Sequence, residues 1–309
     1  MKNKKILSKL TDFRNFLYIT WKHLKLPEPT PIQYDLANYL ATGSSRTIIS
    51  AYRGAGKSWI TSAYVLWRLL LDPQINILVV SASKNRADDF STFCLRLLYE
   101  MDILKHLYPK DTQRQSKISF DVAPALASHQ PSVKSLGITS QLTGSRSDLI
   151  IADDIETSGN TQTQTMRDKL SEAIKEFEAI IKPDTSRIVF LGTPQVEQSI
   201  YNKLQERGYK VRYWTARYPT ENQLKSYASN LSPIIGNTWT HDQIGKPTDP
   251  SRFDDKDLLA REASYGRLGF NMQYMLDTTL NDLNKYPLKL SDLCVMTCNL
   301  DNAPEKVIW

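Results

Sequence analysis

The sequence predicts an α/β fold, a mainly parallel sheet flanked by helices, on three observations. Short apolar runs recur along the chain, at Thr47-Ile48-Ile49, Asn76 to Ala82, Leu149 to Ala152, Arg187 to Leu191 and Lys210 to Trp214. Each has the length and character of a strand buried on both faces. Amphipathic segments of helical period lie between them, and strands alternating with helices imply a parallel sheet covered on both sides. The third observation is the stretch Ser50-Ala51-Tyr52-Arg53-Gly54-Ala55-Gly56-Lys57-Ser58, set between a strand and an apolar helix running from Trp59 to Leu71. That is the strand–loop–helix setting of a phosphate-binding P-loop.

In chain order, residues 6–26 read as an amphipathic helix through Ile6, Leu10, Phe13, Leu17 and Trp21. Pro27-Glu28-Pro29-Thr30-Pro31 stops it, because proline removes a donor and restricts the residue before it. Ile32 then opens a second helix. Gln33 on that helix carries an amide that offers a donor and an acceptor together, which suits the edge of adenine; the plainer reading is a helix-surface residue.

The P-loop follows. Gly54 and Gly56 let the backbone curl round a phosphate without a Cβ in the way. Backbone N–H groups of Arg53, Gly54, Ala55 and Gly56, with the helix N-terminus, converge on the β-phosphate. Lys57 reaches the β- and γ-phosphates and the Ser58 hydroxyl ligates magnesium. Ala51 stands where the motif's first glycine usually stands.

Beyond this helix, Asp72-Pro73 breaks the chain ahead of the 76–82 strand, and Lys84 to Met101 returns to helical period. Two weaker strands, 117–122 and 132–138, read as a hairpin laid on the sheet edge. The polar loop 139–147 carries Arg146, and behind it comes the strand that ends Ala152-Asp153-Asp154-Ile155-Glu156. A charged helix spans 161–182, a buried strand 187–191 ends in Gly192-Thr193-Pro194, and a helix (198–207) and a strand (210–214) complete the alternation. Past Tyr218-Pro219 turn residues dominate, followed by one good helix, Asp255 to Met275. The expected organisation is a core over 1–218 and a lid or linker subdomain over 219–309.

Asp153, at a strand end, suits the carboxylate that holds magnesium through water; an ordinary solvated strand edge is the plainer reading. Hydrolysis needs a second acid to orient and polarise water, and Asp154 and Glu156 both qualify. If the chain stays extended, alternation places these two on one side and Asp153 on the other. Arg53 and Arg146 are the candidates for stabilising charge on the transferring phosphoryl group, Arg146 on its own site, on a neighbouring subunit's, or paired with Asp148 on the surface. Thr193 lies where a parallel sheet presents its ligand-facing edge and is placed to sense the γ-phosphate or the water; a turn or helix cap is the other reading.

Composition bounds the rest. The chain has 309 residues, enough for one large α/β domain, and a net charge of +6 that permits a polyanionic partner. Cys94, Cys294 and Cys298 lack the companions of a zinc site and suit a reducing, cytoplasmic setting, and His23, His106, His129 and His241 are scattered. Neither a signal peptide nor a membrane span can be drawn at the charged start.

Taken in order, these elements resemble the large terminase subunit of tailed double-stranded DNA phages, closest to the podophage branch. The resemblance covers about residues 30–290. It rests on Gln33, Tyr52 to Ser58, Leu149 to Glu156, Leu191-Gly192-Thr193-Pro194, Phe270 to Leu276 and Tyr286-Pro287-Leu288-Lys289. It implies an ASCE-type P-loop NTPase core that hydrolyses ATP with Mg2+ and powers packaging of double-stranded DNA into procapsids. Gln33 would stand in the adenine motif and Thr193 in the coupling motif. Arg53 or Arg146 would be the arginine finger, and many relatives carry Asp-Glu where this chain has Asp153-Asp154. The implied partners are double-stranded DNA, the procapsid portal, the small terminase subunit and further copies of the chain in a ring, a pentamer by resemblance. The setting is the host cytoplasm, with no membrane partner. The family continues into an RNase H-like nuclease domain, so a chain ending at Trp309 reads as the ATPase half, with no nuclease activity expected. Two other readings stand beside this one: a helicase-like translocase, and a nucleotide-binding assembly protein that does not hydrolyse.

Overall fold

The computed structural model describes residues 9–183, 186–196 and 198–278. Cys294, Cys298, the 286–289 motif and most of the tail lie outside them.

Local signals set the first helices. Helix α1 (Phe13–His23) starts at Asp12, whose side chain accepts from the Arg14 amide. Helix α2 (Pro31–Thr42) starts in a capping box: the Thr30 hydroxyl accepts from the Gln33 amide while the Gln33 side chain accepts from the Thr30 amide, with Pro31 in the first turn. The apolar runs become β1 (Arg46–Ala51), β2 (Ile77–Ser81), β5 (Leu149–Asp153) and β6 (Arg187–Gly192), with β7 (Lys210–Trp214) beyond. The strands β3 (Ser119–Phe120) and β4 (Val133–Gly137) extend the other side.

The seven strands form one sheet in the order β3-β4-β2-β5-β6-β1-β7. Every pairing is parallel except β3 with β4. The expected edge hairpin is therefore half right. Val133–Gly137 belongs to the parallel sheet beside β2, and only Ser119–Phe120 pairs antiparallel at the margin.

Alternation along the central strands feeds two cores. Ile49, Val79, Ile151 and Val189 face a layer shared with α1, α2, α3 (Lys57–Leu71) and α4 (Lys84–Glu100). Ile48, Leu78, Ile150 and Phe190 face a second layer with α5 (Gln164–Ile180) and α6 (Ile200–Glu206).

The region after Trp214 holds a short helix, α7 (Glu221–Tyr227), and then α8 (Asp255–Phe270). The expected single helix to Met275 is interrupted. Gly266 has φ +68°, and Asn271–Met275 forms a π-helical turn closed by Leu276 at φ +62°. Such turns are rare and concentrate at functional places.

Because β1, β2, β5 and β6 run parallel, their C-terminal ends share one edge. Ser81 pairs with Asp153, Asp153 with Leu191, and Gly192 with Ser50. The P-loop, the acidic strand end and Thr193 thus arrive at one place, where such sheets bind ligands.

Candidate active site

The P-loop curls through two left-handed glycines, Gly54 at φ +92° and Gly56 at φ +94°. A Cβ on Gly54 would lie 2.7 Å from the Phe253 ring, and one on Gly56 would lie 2.9 Å from Gln33 Nε2. Ala51, in the place of the usual first glycine, is the last residue of β1. Its extended backbone needs no glycine, and its carbonyl accepts from Lys57 Nζ at 2.8 Å.

Lys57 Nζ also donates to Thr193 Oγ1 at 3.0 Å. Burial pulls the Lys57 ammonium below the ordinary lysine range, while the charges of Asp154 and Asp153 oppose the shift. A cavity of about 380 Å³ opens in front of these groups, lined by Arg53, Lys57, Ser58, Asp154, Glu156 and Thr193 together with Arg86, Gln195, Arg252 and Gln273.

Asp153 is buried at the end of β5. Burial first, and the Asp154 charge second, push its carboxyl well above the ordinary range; a hydrogen bond from Ser58 and the charge of Lys57 pull the other way. Its Oδ1 is buried with no hydrogen-bond partner. An orphaned carboxylate oxygen beside a serine hydroxyl is a donor set that fits a hard cation. Among the described residues no cluster of three His, Cys, Asp or Glu side chains forms a separate metal site. Ser58 and Asp153 are the residues here that would hold such a cation.

The chain does not stay extended past Asp153, so the expected alternation of the acids fails. Asp154 turns into the left-handed region at φ +45°, its amide held by the Leu191 carbonyl at 2.8 Å. Such a conformation is uncommon outside glycine and is maintained by its surroundings. Its carboxylate lines the cavity.

Glu156 is occupied differently. Its Oε1 accepts from the Gln195 amide at 2.7 Å, and its Oε2 accepts from Ser199 Oγ at 2.9 Å and the Ile200 amide at 2.7 Å. Burial raises its carboxyl, and these donors counter the rise. Glu156 ties β5 to the start of α6 with both oxygens engaged, which leaves Asp154 the freer acid.

Thr193 touches the P-loop lysine directly and also donates to the Ala51 carbonyl at 3.3 Å. Gln33 Nε2 donates to the Ala55 carbonyl at 3.0 Å while its Oε1 takes the Thr30 amide at 3.1 Å. Gln33 thus props the P-loop from behind, and it lines a second cavity with Pro27, Glu28, Trp59 and Arg252 that adjoins Gly56. Arg53 lines the first cavity. Arg146 does not: its guanidinium donates to the Ser145 carbonyl at 3.0 Å. The surface pairing of Arg146 with Asp148 is not formed either, since Asp148 pairs with Lys182 at 2.9 Å.

Four lining residues escaped the sequence reading. Arg86 sits in the first turn of α4, directly after β2, and lines this cavity and another that Ser58, Asp153 and Asp154 also line. The strand–cap–helix pattern Ser81 to Arg86 was the available signal. Gln195 follows Thr193 by two positions, its Nε2 donating to the Thr193 carbonyl at 3.0 Å. Arg252 Nε donates to the Gly54 carbonyl at 2.9 Å, and Gln273 reaches Arg53. Arg252 carries no local motif, and Gln273 lies in the Phe270 to Leu276 stretch of the resemblance without a role attached to it; both come to the loop from the far end of the described chain.

A parallel sheet with strand–P-loop–helix, a buried acid on the neighbouring strand end and a threonine on the P-loop lysine define a P-loop NTPase. No family model matches the sequence. The chain is similar to the phage terminase large subunit: it is 47% identical over 305 residues to the "Terminase, large subunit" of Enterobacteria phage T3, across 96% of this chain and 52% of that protein. It spans about half the length of the curated relative it matches. Among solved structures, a mutant ATPase domain of the Thermus phage P74-26 large terminase is 15% identical, covering 83% of this chain and 96% of that one with a TM-score of 0.47. The bacteriophage HK97 large terminase is also 15% identical, covering 79% and 49% of the two chains with a TM-score of 0.43.

Proposed function

We propose that this chain is the ATP-hydrolysing, magnesium-dependent motor part of a machine that packages double-stranded phage DNA. The observation that carries the reading is the meeting of Lys57, Ser58, Asp153, Asp154 and Thr193 at one sheet edge in a chain so similar to a terminase large subunit.

Glycine-curled backbone and Lys57 bind the β- and γ-phosphates. Ser58 and Asp153 would hold magnesium, which would supply neutralisation of phosphate charge. Asp154, facing the cavity, orients water and accepts its proton, the role left open between it and Glu156 by sequence. Arg53 stabilises charge developing on the phosphoryl group from within the subunit. Arg146, exposed and outside the cavity, would act on a neighbouring copy's site. Thr193, on Lys57, links the phosphate end to the strand end. Gln33 and the cavity beside it take the adenine.

The same reading makes residues 219–309 a lid or linker subdomain moving against the 1–218 core. Its partners would be double-stranded DNA, the procapsid portal, the small terminase subunit and copies of itself in a homo-oligomeric ring, in the host cytoplasm. Among the described residues no helix is long and apolar enough to cross a membrane. The test is magnesium-dependent phosphate release from ATP by the chain, with and without double-stranded DNA, and DNA protection in a procapsid packaging assay. The reading expects both activities and their loss in Lys57→Ala. Undiminished phosphate release by Lys57→Ala would overturn it, and hydrolysis without any packaging would favour the helicase-like alternative.

A further inference from the structure

Gln273 has a bonding pattern that its position in the chain does not foretell. Its side chain is buried, at 7% exposure, on the π-helical turn Asn271–Met275. Its backbone carbonyl accepts from the Arg53 amide at 3.0 Å, and its Oε1 accepts from Arg53 Nη1 at 3.3 Å. Its Nε2 donates to the Pro194 carbonyl at 2.8 Å. One glutamine therefore grips the P-loop arginine at both main chain and side chain. With its other end it holds the residue after Thr193.

The contact is specific in its chemistry. A guanidinium on an exposed loop arginine samples many orientations, and a fixed carbonyl acceptor reduces them. A neutral acceptor does this without cancelling the charge, so the guanidinium keeps its full pull on phosphate oxygen. A carboxylate in the same place would compete with phosphate. The turn is itself held in place: the Tyr274 carbonyl accepts from the Ala216 amide at 2.9 Å, the Met275 carbonyl accepts from Tyr227, and the Asp277 amide donates to the Asn271 carbonyl at 3.0 Å. Gln273 is thus mounted on the end of β7 and on α7.

We infer that Gln273 is a positioning residue for Arg53, setting its guanidinium toward the transferring phosphoryl group and fixing it relative to Thr193-Pro194. The inference rests on the reading of Arg53 as a charge-stabilising group. Gln273 need not touch nucleotide to do this. Its effect falls on the step in which charge develops, where misplacement by about 1 Å can lower a rate by roughly 100-fold. It falls little on nucleotide affinity, which the P-loop backbone and Lys57 dominate.

The test is a double-mutant cycle on the full chain, with Gln273→Ala, Arg53→Ala and the double variant compared by single-turnover ATP hydrolysis at saturating magnesium, and by ADP binding as a folding control. Gln273→Ala is expected to lower the hydrolysis rate roughly 10- to 100-fold with ADP affinity within about 3-fold of the parent, and to have no further effect once Arg53 is alanine. Gln273→Glu separates the two arms. It keeps an acceptor for Arg53, loses the donor to Pro194 and adds a charge that competes with phosphate, so its rate should stay depressed with an ATP affinity lower than that of Gln273→Ala. An equal rate loss from Gln273→Ala in the Arg53→Ala background would overturn the inference while leaving the role of Arg53 standing. A normal rate in Arg53→Ala would remove that role, and the inference with it. A Gln273→Ala variant with the parent rate, or one that loses ADP binding and hydrolysis together, would likewise overturn it.

Discussion

Lys57 Nζ and Thr193 Oγ1, 136 positions apart in the chain, meet at 3.0 Å behind the P-loop. The contact joins the loop after β1 to the loop after its sheet neighbour β6. The hydroxyl is one acceptor of a buried ammonium that also donates to the Ala51 carbonyl and, at 3.5 Å, to the Tyr52 carbonyl. Replacing Thr193 by valine keeps the shape and removes the acceptor. The variant should retain ADP binding and lose hydrolysis by roughly 10-fold or more, with serine restoring most of it. Parent-like turnover by Thr193→Val would show the contact to be structural only.

The two candidate acids separate by different readouts. Asp154→Asn should lower phosphate release by roughly 10²- to 10⁴-fold with little change in thermal midpoint, as expected of a group that moves a proton. Glu156→Gln should chiefly lower the midpoint, because its amide nitrogen must face an N–H or a hydroxyl where the carboxylate accepted from three donors. If Glu156→Gln stops hydrolysis at an unchanged midpoint, the assignment reverses.

Asp153 should reveal itself through pH. Its folded pKa is raised to about 7, chiefly by burial, so folding takes up a proton. The associated stability is fully present below the unfolded value, near 4, and is lost as pH rises through about 7. Without metal, Asp153→Asn should therefore melt above the parent at pH 8, by roughly 2 °C or more, with the gap closing toward pH 4. Magnesium with ADP should raise the midpoint of the parent more than that of the variant. A constant gap across pH would show that burial of this charge is not its source.

Gly192 offers a packing test. A Cβ there would fall 1.8 Å from the Tyr201 hydroxyl, on a ring that is buried between β6 and α6. Gly192→Ala should destabilise by about 1–3 kcal/mol, and adding Tyr201→Phe should recover little of that loss, because the ring carbon that carries the hydroxyl would still overlap the new Cβ. Chemical denaturation reads both.

What the sequence made legible follows from how local each signal was. The strand–loop–helix around Lys57, the apolar strand ending at Asp153 and the strand before Thr193 are each carried by a dozen neighbouring residues, and a parallel sheet then brings their ends together. The geometry after Asp153 was not legible. Alternation presumes an extended chain, and the left-handed turn at Asp154 arises from its amide pairing with Leu191 on another strand. The inner duties of Glu156 depend on where α6 begins, and Arg252 and Gln273 on how the chain returns to the loop. Those are tertiary facts, and no periodicity encodes them.

The bond from Gln33 to Ala55 has a bearing on how genetic results at this site are interpreted. One amide serves as helix cap, as loop prop and as wall of the cavity beside Gly56. A nucleotide-selectivity defect in Gln33→Ala would therefore mix three causes, including a cap loss of about 1 kcal/mol that has nothing to do with the base. Only a substitution that preserves the first two duties can report on the third. The residue that looks like a base reader is at the same time a keystone, and removing a keystone says little about what passes beneath the arch.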